Sequence, residues 1–407
     1  MKHKLFLQFF QKSRFYGLGL LILLSACSQD KETPIPEGQF LKTAERIAQY
    51  SSKNDLDNYL KTRQSSAFDP TILTLFSQMG VKVYRVVYKT KNVDGASIEA
   101  SGLVIVPFEI EGALPLISVQ HGTITSEVDA PSNYNRSTEG TIFGPFISSL
   151  NYVTVVPDYI GYGASKTFPH PYEHAASLGS SCLDLLRAAR ELCGSLNITL
   201  NGQLFLTGYS EGGYATMALH QYIEQQFAAE FVVTASAPGA GAYHKTAFAE
   251  YIAAADENLF FLNSYLWVLE TYNWVYGLNR PWGFYLNEPY ATNVATQGVF
   301  TDNIDYNPQN LFTQELRNVL INRSDTALIN TFANNDLHDW LPNAPIRLFH
   351  GTEDDFVPFF NSQNALDAMT GRGATQVTLS PIEGGDHETS LDDFVVGVLD
   401  FFEPLRQ

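Results

Sequence analysis

The chain has 407 residues, of which 45% are apolar and 17% charged, a balance that suits a globular protein with a large buried core. Its formal net charge of −18 argues against nucleic acid, whose phosphates need a basic face, and is a poor match to anionic lipid head groups. A small-molecule or lipid substrate that is neutral, or presented by its apolar part, fits this surface better.

The N-terminus reads as a targeting segment over residues 1–26. Lys2, Lys4, Lys12 and Arg14 make it basic, and Phe15 to Leu24 is an apolar run of ten residues, short for a membrane span. Leu24-Ser25-Ala26-Cys27 resembles the bacterial lipobox. That resemblance implies an exported bacterial lipoprotein whose mature chain begins at a lipidated Cys27, attached to a membrane by its lipid anchor. Ser28 in the next position implies outer-membrane sorting, and Asp30-Lys31-Glu32 resembles the start of lipoproteins carried to the cell surface. An ordinary secretory signal that contains a cysteine is the plainer alternative. Residues 27–39, with two prolines, read as a tether. Losing residues 1–26 leaves 43 acidic against 21 basic side chains, a net charge of −22.

Residues 40–80 read as helix and loop, with Leu41, Ile47, Tyr50, Leu56 and Leu60 as an approximate apolar stripe. Val81–Lys89 and Ser97–Pro107 are alternating strands, and the Asp94-Gly95 pair between them predicts a hairpin. Leu114–Gln120 predicts the next strand and runs into His121-Gly122-Thr123. Tyr152–Val156 predicts another, ending in Pro157-Asp158-Tyr159-Ile160-Gly161-Tyr162-Gly163-Ala164-Ser165. This G-x-G is no phosphate loop, since neither a following G-K-[ST] nor the full dinucleotide glycine pattern is present. His174–Cys193 predicts a helix with Leu178, Cys182, Leu185, Leu186 and Ala189 on one face. Cys182 and Cys193 would lie roughly 16 Å apart along it, beyond disulfide reach, so two free buried thiols are expected. No Cys/His spacing points to a metal.

Leu204-Phe205-Leu206-Thr207 is an apolar, β-prone run. It breaks at Gly208-Tyr209-Ser210-Glu211-Gly212 and resumes as a helix former from Tyr214 to Gln225. Strand, sharp turn and helix is the setting that gives G-x-S-x-G its chemical meaning. Such a turn holds Ser210 in a strained backbone conformation, and Gly208 and Gly212 supply the small residues where strand and helix approach. The Ser210 hydroxyl then stands clear of the sheet. The Glu211 N–H opens on the same space at a helix N-terminus, where negative charge is stabilised. A glycine-rich turn with an idle serine is the alternative until partners are found.

Phe231–Ser236 predicts a strand ending in Ala237-Pro238-Gly239-Ala240-Gly241. The next, Ile346–Phe349, begins about a hundred residues later. All four tryptophans fall between them: Trp267, Trp274, Trp282 and Trp340. Phe260, Phe261, Tyr265, Tyr272, Tyr276, Phe284, Tyr285 and Tyr290 crowd the same region. Part of this must be the segment's own core; the rest can line an apolar pocket. Thr301-Asp302-Asn303-Ile304-Asp305 lacks the glycine and terminal glutamate of a calcium loop, so it reads as a turn. The strand at Ile346 runs into His350-Gly351-Thr352-Glu353-Asp354-Asp355-Phe356-Val357-Pro358. A last strand, Gln376–Leu379, precedes Gly384-Gly385-Asp386-His387-Glu388.

These segments together resemble the α/β-hydrolase superfamily, and most of all the secretory lipase group and its bacterial relatives. The resemblance covers roughly residues 80–240 and 345–400 and rests on H-G-T, P-D-Y-x-G-x-G, G-Y-S-x-G-G and H-G-T-x-D. It implies an α/β fold: a mostly parallel sheet with helices on both faces and a large helical cap inserted before the acid-bearing strand. The divisions expected are a core over 40–240 and 345–407 and a cap over 241–344. It implies hydrolysis of carboxylic esters by Ser210, Asp354 and His387, in the chain order nucleophile, acid, histidine. Asp355 is the rival acid and Asp386 a weaker one. The oxyanion hole implied is the backbone of Glu211 with that of Thr123, or alternatively Gly122. His121 is expected to hold its loop and Asp158 to be structural. No metal or organic cofactor is implied. An esterase acting on acylated polysaccharides or phenolics is a second reading, a prolyl-oligopeptidase-like serine peptidase a third, and a non-catalytic surface binding lipoprotein a fourth.

Overall fold

The computed structural model describes residues 35–63, 69–134 and 138–407. The leader, Cys27 and most of the tether lie outside these residues. Nine strands form one sheet: β1 (Leu41–Tyr50), β2 (Val81–Lys91), β3 (Ser97–Pro107), β4 (Leu114–Gln120), β5 (Val153–Pro157), β6 (Leu200–Tyr209), β7 (Val233–Gly239), β8 (Ile346–Gly351) and β9 (Val377–Ile382). Their order is β1-β2-β3-β5-β4-β6-β7-β8-β9. The pairs β1·β2, β2·β3 and β3·β5 are antiparallel, and every pair from β5 to β9 is parallel. The β2–β3 hairpin is in register from Val81↔Pro107 to Lys91↔Ser97. Its turn places Gly95 at φ 82°, a conformation that costs glycine nothing.

β1 corrects the reading of residues 40–80 as helix and loop. Leu41–Tyr50 is an edge strand against β2, and its register shifts between Leu41 and Thr43 and again between Arg46 and Ala48. Each shift breaks the two-residue alternation that marks a strand, so the apolar positions mimic a helical stripe. Helix α1 (Lys53–Lys61) does follow, capped by Ser52 Oγ, which accepts from the Asp55 amide.

Helices cover both faces of the sheet, as buried parallel strands require. Along the strands, successive side chains enter opposite cores. Leu116, Leu204, Leu206 and Leu348 pack on one side with α3 (Ala175–Ser195) and α4 (Glu211–Gln226). Ile117, Phe205 and Phe349 pack on the other with α1, α2 (Glu139–Ser148) and α13 (Leu391–Phe402). Burying one such side chain is worth about 1.5–3 kcal/mol. Cys182 and Cys193 are free and buried in α3, and burial raises both thiols.

Between β7 and β8 lie seven helices, α5 to α11: Lys245–Ala254, Leu262–Val275, Trp282–Tyr285, Tyr290–Gln297, Pro308–Leu311, Gln314–Asn322 and Thr326–Ala333. α12 (Phe360–Gly371) joins β8 to β9. The insert has an apolar core of its own, including Leu262, Leu266, Tyr272, Phe312 and Phe332. Trp340 instead joins the sheet-side core, edge-on to His220. No helix among the described residues is long and apolar enough to cross a membrane.

Candidate active site

β6 ends at Tyr209 and α4 begins at Glu211, so one residue makes the whole turn. Ser210 sits at φ 58°, ψ −123°, in the left-handed region that a side-chain-bearing residue avoids. Its amide donates to Gly239 O at 2.9 Å, and its carbonyl accepts the Tyr214 amide at 3.0 Å. Three glycines make this possible. A Cβ on Gly208 or Gly212 would overlap the Gln120 carbonyl, and one on Gly213 would overlap the Gly239 carbonyl. Gly213 is a requirement that the G-x-S-x-G pattern does not contain.

These obstacles are backbone atoms and cannot swing away. Gly212→Ala is therefore expected to cost about 1–3 kcal/mol of stability and to displace the elbow. Gly194→Ala, with open space around it in α3, should be neutral or stabilising by up to about 1 kcal/mol. Thermal melts of the two variants, with ester turnover alongside, check this. Equal stability of the two would contradict the crowding account.

The late segments converge on the same point. His387 Nε2 lies 2.9 Å from Ser210 Oγ, and His387 Nδ1 lies 2.8 Å from Asp354 Oδ2. The imidazole is flanked by Phe356, stacked at 4.9 Å, and by Tyr209 at 5.3 Å. Asp354 Oδ1 accepts the amides of Phe356 at 2.9 Å and Val357 at 2.7 Å. Burial on its own would raise the Asp354 carboxyl. Hydrogen bonds from His350 and His387, with their charge, outweigh it and hold the group well below the usual carboxylate range. His350, the first residue of its H-G motif, is thus a brace for the acid. Its ring also bonds Ser362 Oγ and Val357 O, each at 2.7 Å.

The rival acids are elsewhere. Asp355 is exposed. Asp386 Oδ1 accepts the Glu388 and Thr389 amides, at 3.0 and 2.8 Å, and so shapes the turn into α13. Asp158 is fully buried between Ser101 Oγ and the Ser132 amide, a structural position on β5's end. His121 turns its Nδ1 to Gly122 O at 2.7 Å and lies tilted against Tyr159, so its ring serves the loop.

Two backbone donors were expected opposite Ser210. The Glu211 amide is the first of α4 and has no partner within the helix. The alternative in the H-G-T loop, Gly122, is corrected here: its amide is committed to Glu139 Oε2 at 2.9 Å. Thr123 follows it and is anchored through Oγ1 to Tyr172 Oη at 3.0 Å.

Beside Ser210 is a narrow hollow walled by Phe248, Phe261, Tyr265, Val268 and Phe332 of the insert, and by Tyr172 and Phe356. Its volume is about 30 Å³, room for a few atoms beyond the reacting carbon. Of the aromatics expected over the site, Phe261 and Tyr265 line it, while Phe260 faces solvent. Glu173 and Lys245 also reach this wall, as a buried ion pair.

Among the described residues, His244, Asp336 and His338 bring three metal-type ligand atoms within 4.8 Å of one another. The two rings are stacked, 3.5 Å between centroids and 13° between planes. Their in-plane lone pairs run side by side and do not converge on one ion, which makes the trio a poor cradle as arranged.

The sequence profile of the secretory lipase family matches residues 137–392. The chain belongs to this family. Searched against curated proteins, it finds no match. Solved structures of similar shape include a Legionella pneumophila protein assigned as a hydrolase, 25% identical, covering 90% of this chain and 98% of that one at a TM-score of 0.80. The rice cell wall degrading esterase LipA of Xanthomonas oryzae is 25% identical, covering 89% of this chain and 97% of that one, TM-score 0.75. Candida antarctica lipase A, at 15% identity, shares the fold over 90% of this chain and 81% of its own, TM-score 0.63. As a member of this family, the chain is an α/β-hydrolase of the esterase and lipase class.

Proposed function

We propose that this protein cleaves carboxylic esters through an acyl-enzyme on Ser210. One observation carries the reading: the Ser210 hydroxyl, on a left-handed elbow, lies within hydrogen-bond reach of an imidazole whose other nitrogen faces a buried carboxylate. His387 Nε2 takes the hydroxyl proton as Oγ attacks the ester carbonyl, and Asp354 holds the tautomer that leaves Nε2 free. The amides of Glu211 and Thr123 receive the oxyanion. His387 then gives its proton to the leaving alcohol. Water, deprotonated by the same nitrogen, attacks the acyl-enzyme and releases the acid and Ser210. None of these steps calls on a metal or organic cofactor.

The narrow aromatic hollow supports short acyl groups over long chains. The likeness to an esterase described as degrading rice cell walls supports the second reading, removal of small acyl groups from a glycan or phenolic. Export is supported by the secretory family, and attachment through a lipid on Cys27 completes the proposal.

A fluorophosphonate should label Ser210 stoichiometrically, which a binding module would not permit. Across p-nitrophenyl esters, kcat/KM should peak between acetate and butyrate and fall at least about 10-fold by palmitate, as surplus methylenes find no room. A protein that neither labels nor turns over any ester would overturn the reading. A peak at palmitate would overturn the short-chain part alone.

A further inference from the structure

The residue after the nucleophile carries a side chain that the reaction does not use. Glu211 is 1% exposed at its side chain and folds away from solvent onto His170, also buried, with Oε1 2.8 Å from Nε2. The other ring nitrogen, Nδ1, lies 2.6 Å from the Ile160 carbonyl. A carbonyl oxygen can only accept, so Nδ1 carries a proton. A proton must also lie between Nε2 and the carboxylate. The ring therefore stands between two acceptors, and the pair as a whole is neutral. Four aromatic rings enclose the imidazole: Tyr162 at 5.1 Å, Trp267 at 5.3 Å, Tyr159 at 5.9 Å and Tyr172 at 6.1 Å.

Room for His170 is built into the fold. Gly161, at φ +99°, lies against its backbone, where a Cβ would clash with Cα and N. Pro169 and Pro171 fix the chain on either side. Trp267 of α6 meets the His170 ring and stacks flat on Tyr172, 4.3 Å apart and 2° between planes. Tyr172 in turn bonds Thr123. Both residues proposed as oxyanion donors are thus tied, by one contact each, to the same short segment and the same indole of the insert.

We propose that His170 is a positioning residue for the oxyanion hole: it fixes the Glu211 carboxylate and neutralises it beside the point where negative charge develops. The proposal rests on Ser210 as nucleophile and on the Glu211 amide as oxyanion donor. Without the His170 proton the residue that donates its amide to the oxyanion would carry an uncompensated buried carboxylate. An uncompensated like charge on the residue next to the nucleophile, shielded from water, slows such a step by roughly 10- to 100-fold. The neighbouring acid is treated the same way, since Lys245 pairs with Glu173 and lies over the Tyr214 ring.

His170→Gln keeps a hydrogen-bond donor for Glu211 and removes the charge. It should lower kcat for p-nitrophenyl acetate by about 10- to 100-fold with KM within about 2-fold. The double variant His170→Gln/Glu211→Gln buries no charge at this place and should regain kcat to within about 5-fold of the parent. A purely structural role for the ring gives no such rescue, because the double variant is the more heavily altered. If His170→Gln does not fold, the double variant alone decides, and its failure to fold or to turn over ester overturns the proposal. So does a His170→Gln variant within 3-fold of the parent. Ser210→Ala is measured alongside: near-parent activity there would bring down the nucleophile assignment, while a drop of at least about 10³ in Ser210→Ala with no rescue in the double variant brings down the role of His170 only.

Discussion

Ser210→Ala should lower kcat on p-nitrophenyl esters by at least about 10³ while leaving KM within a few-fold. The substitution removes one oxygen and nothing that holds the fold. Ser210 makes its structural bonds through its backbone, to Gly239 O and from the Tyr214 amide, and alanine keeps both. The left-handed φ of 58° is no worse for alanine than for serine. The amides of Glu211 and Thr123 and the aromatic hollow stay in place, so substrate still binds and some oxyanion stabilisation persists. What vanishes is the covalent intermediate, and the residual rate is that of water attacking a bound ester. Loss of fluorophosphonate labelling should accompany the loss of turnover. A variant keeping near-parent rates with an unchanged melting temperature would mean another nucleophile.

Strands and their order of use were readable in the sequence where the signal is local. The G-Y-S-E-G-G turn declares itself because a backbone forced to φ 58° between two packed elements leaves few residue choices on either side. β8 and β9 declare themselves as short apolar runs stopped by polar turns. β1 did not, because two register shifts erase its alternation. His170 went unread for a different reason. Nothing around Phe168-Pro169-His170-Pro171-Tyr172 signals a partner, and its meaning comes from Glu211, 41 residues away, and from Trp267 in the insert. The two prolines flanking a polar residue were the available hint. His350 stands in the H-G-T-x-D motif, yet its role is not legible there, since its ring acts on the Asp354 carboxylate folded beside it and not on substrate.

The insert also divides in a way that composition hides. Its aromatic residues serve three ends. Tyr272, Tyr285, Phe312 and their neighbours hold the insert together. Phe248, Phe261 and Tyr265 face the hollow beside Ser210. Trp267 leans on the His170–Tyr172 segment. A count of aromatics cannot separate these, because all three environments reward the same large apolar side chains. Geometry separates them, and only the second group should alter acyl-chain preference when trimmed.

Asp354→Asn and Asp355→Asn should differ by about 10³–10⁴ in kcat, with the first nearly inactive and the second close to the parent. Asp354 is held by the Phe356 and Val357 amides, so asparagine can keep its place in the loop with Oδ1 still accepting. The atom facing His387 Nδ1 then becomes an amide nitrogen that donates. Nδ1 must turn acceptor, the ring proton moves to Nε2, and the nitrogen facing Ser210 can no longer take the hydroxyl proton. The imidazolium formed during attack also loses its counter-charge in a buried place, where that charge matters most. None of this applies to Asp355, whose side chain is in solvent. Circular dichroism melts should place both variants near the parent, so the contrast is one of chemistry. Equal activity of the two, or loss confined to Asp355→Asn, would transfer the acid's role to the neighbouring residue and contradict the hydrogen-bonded path from His387.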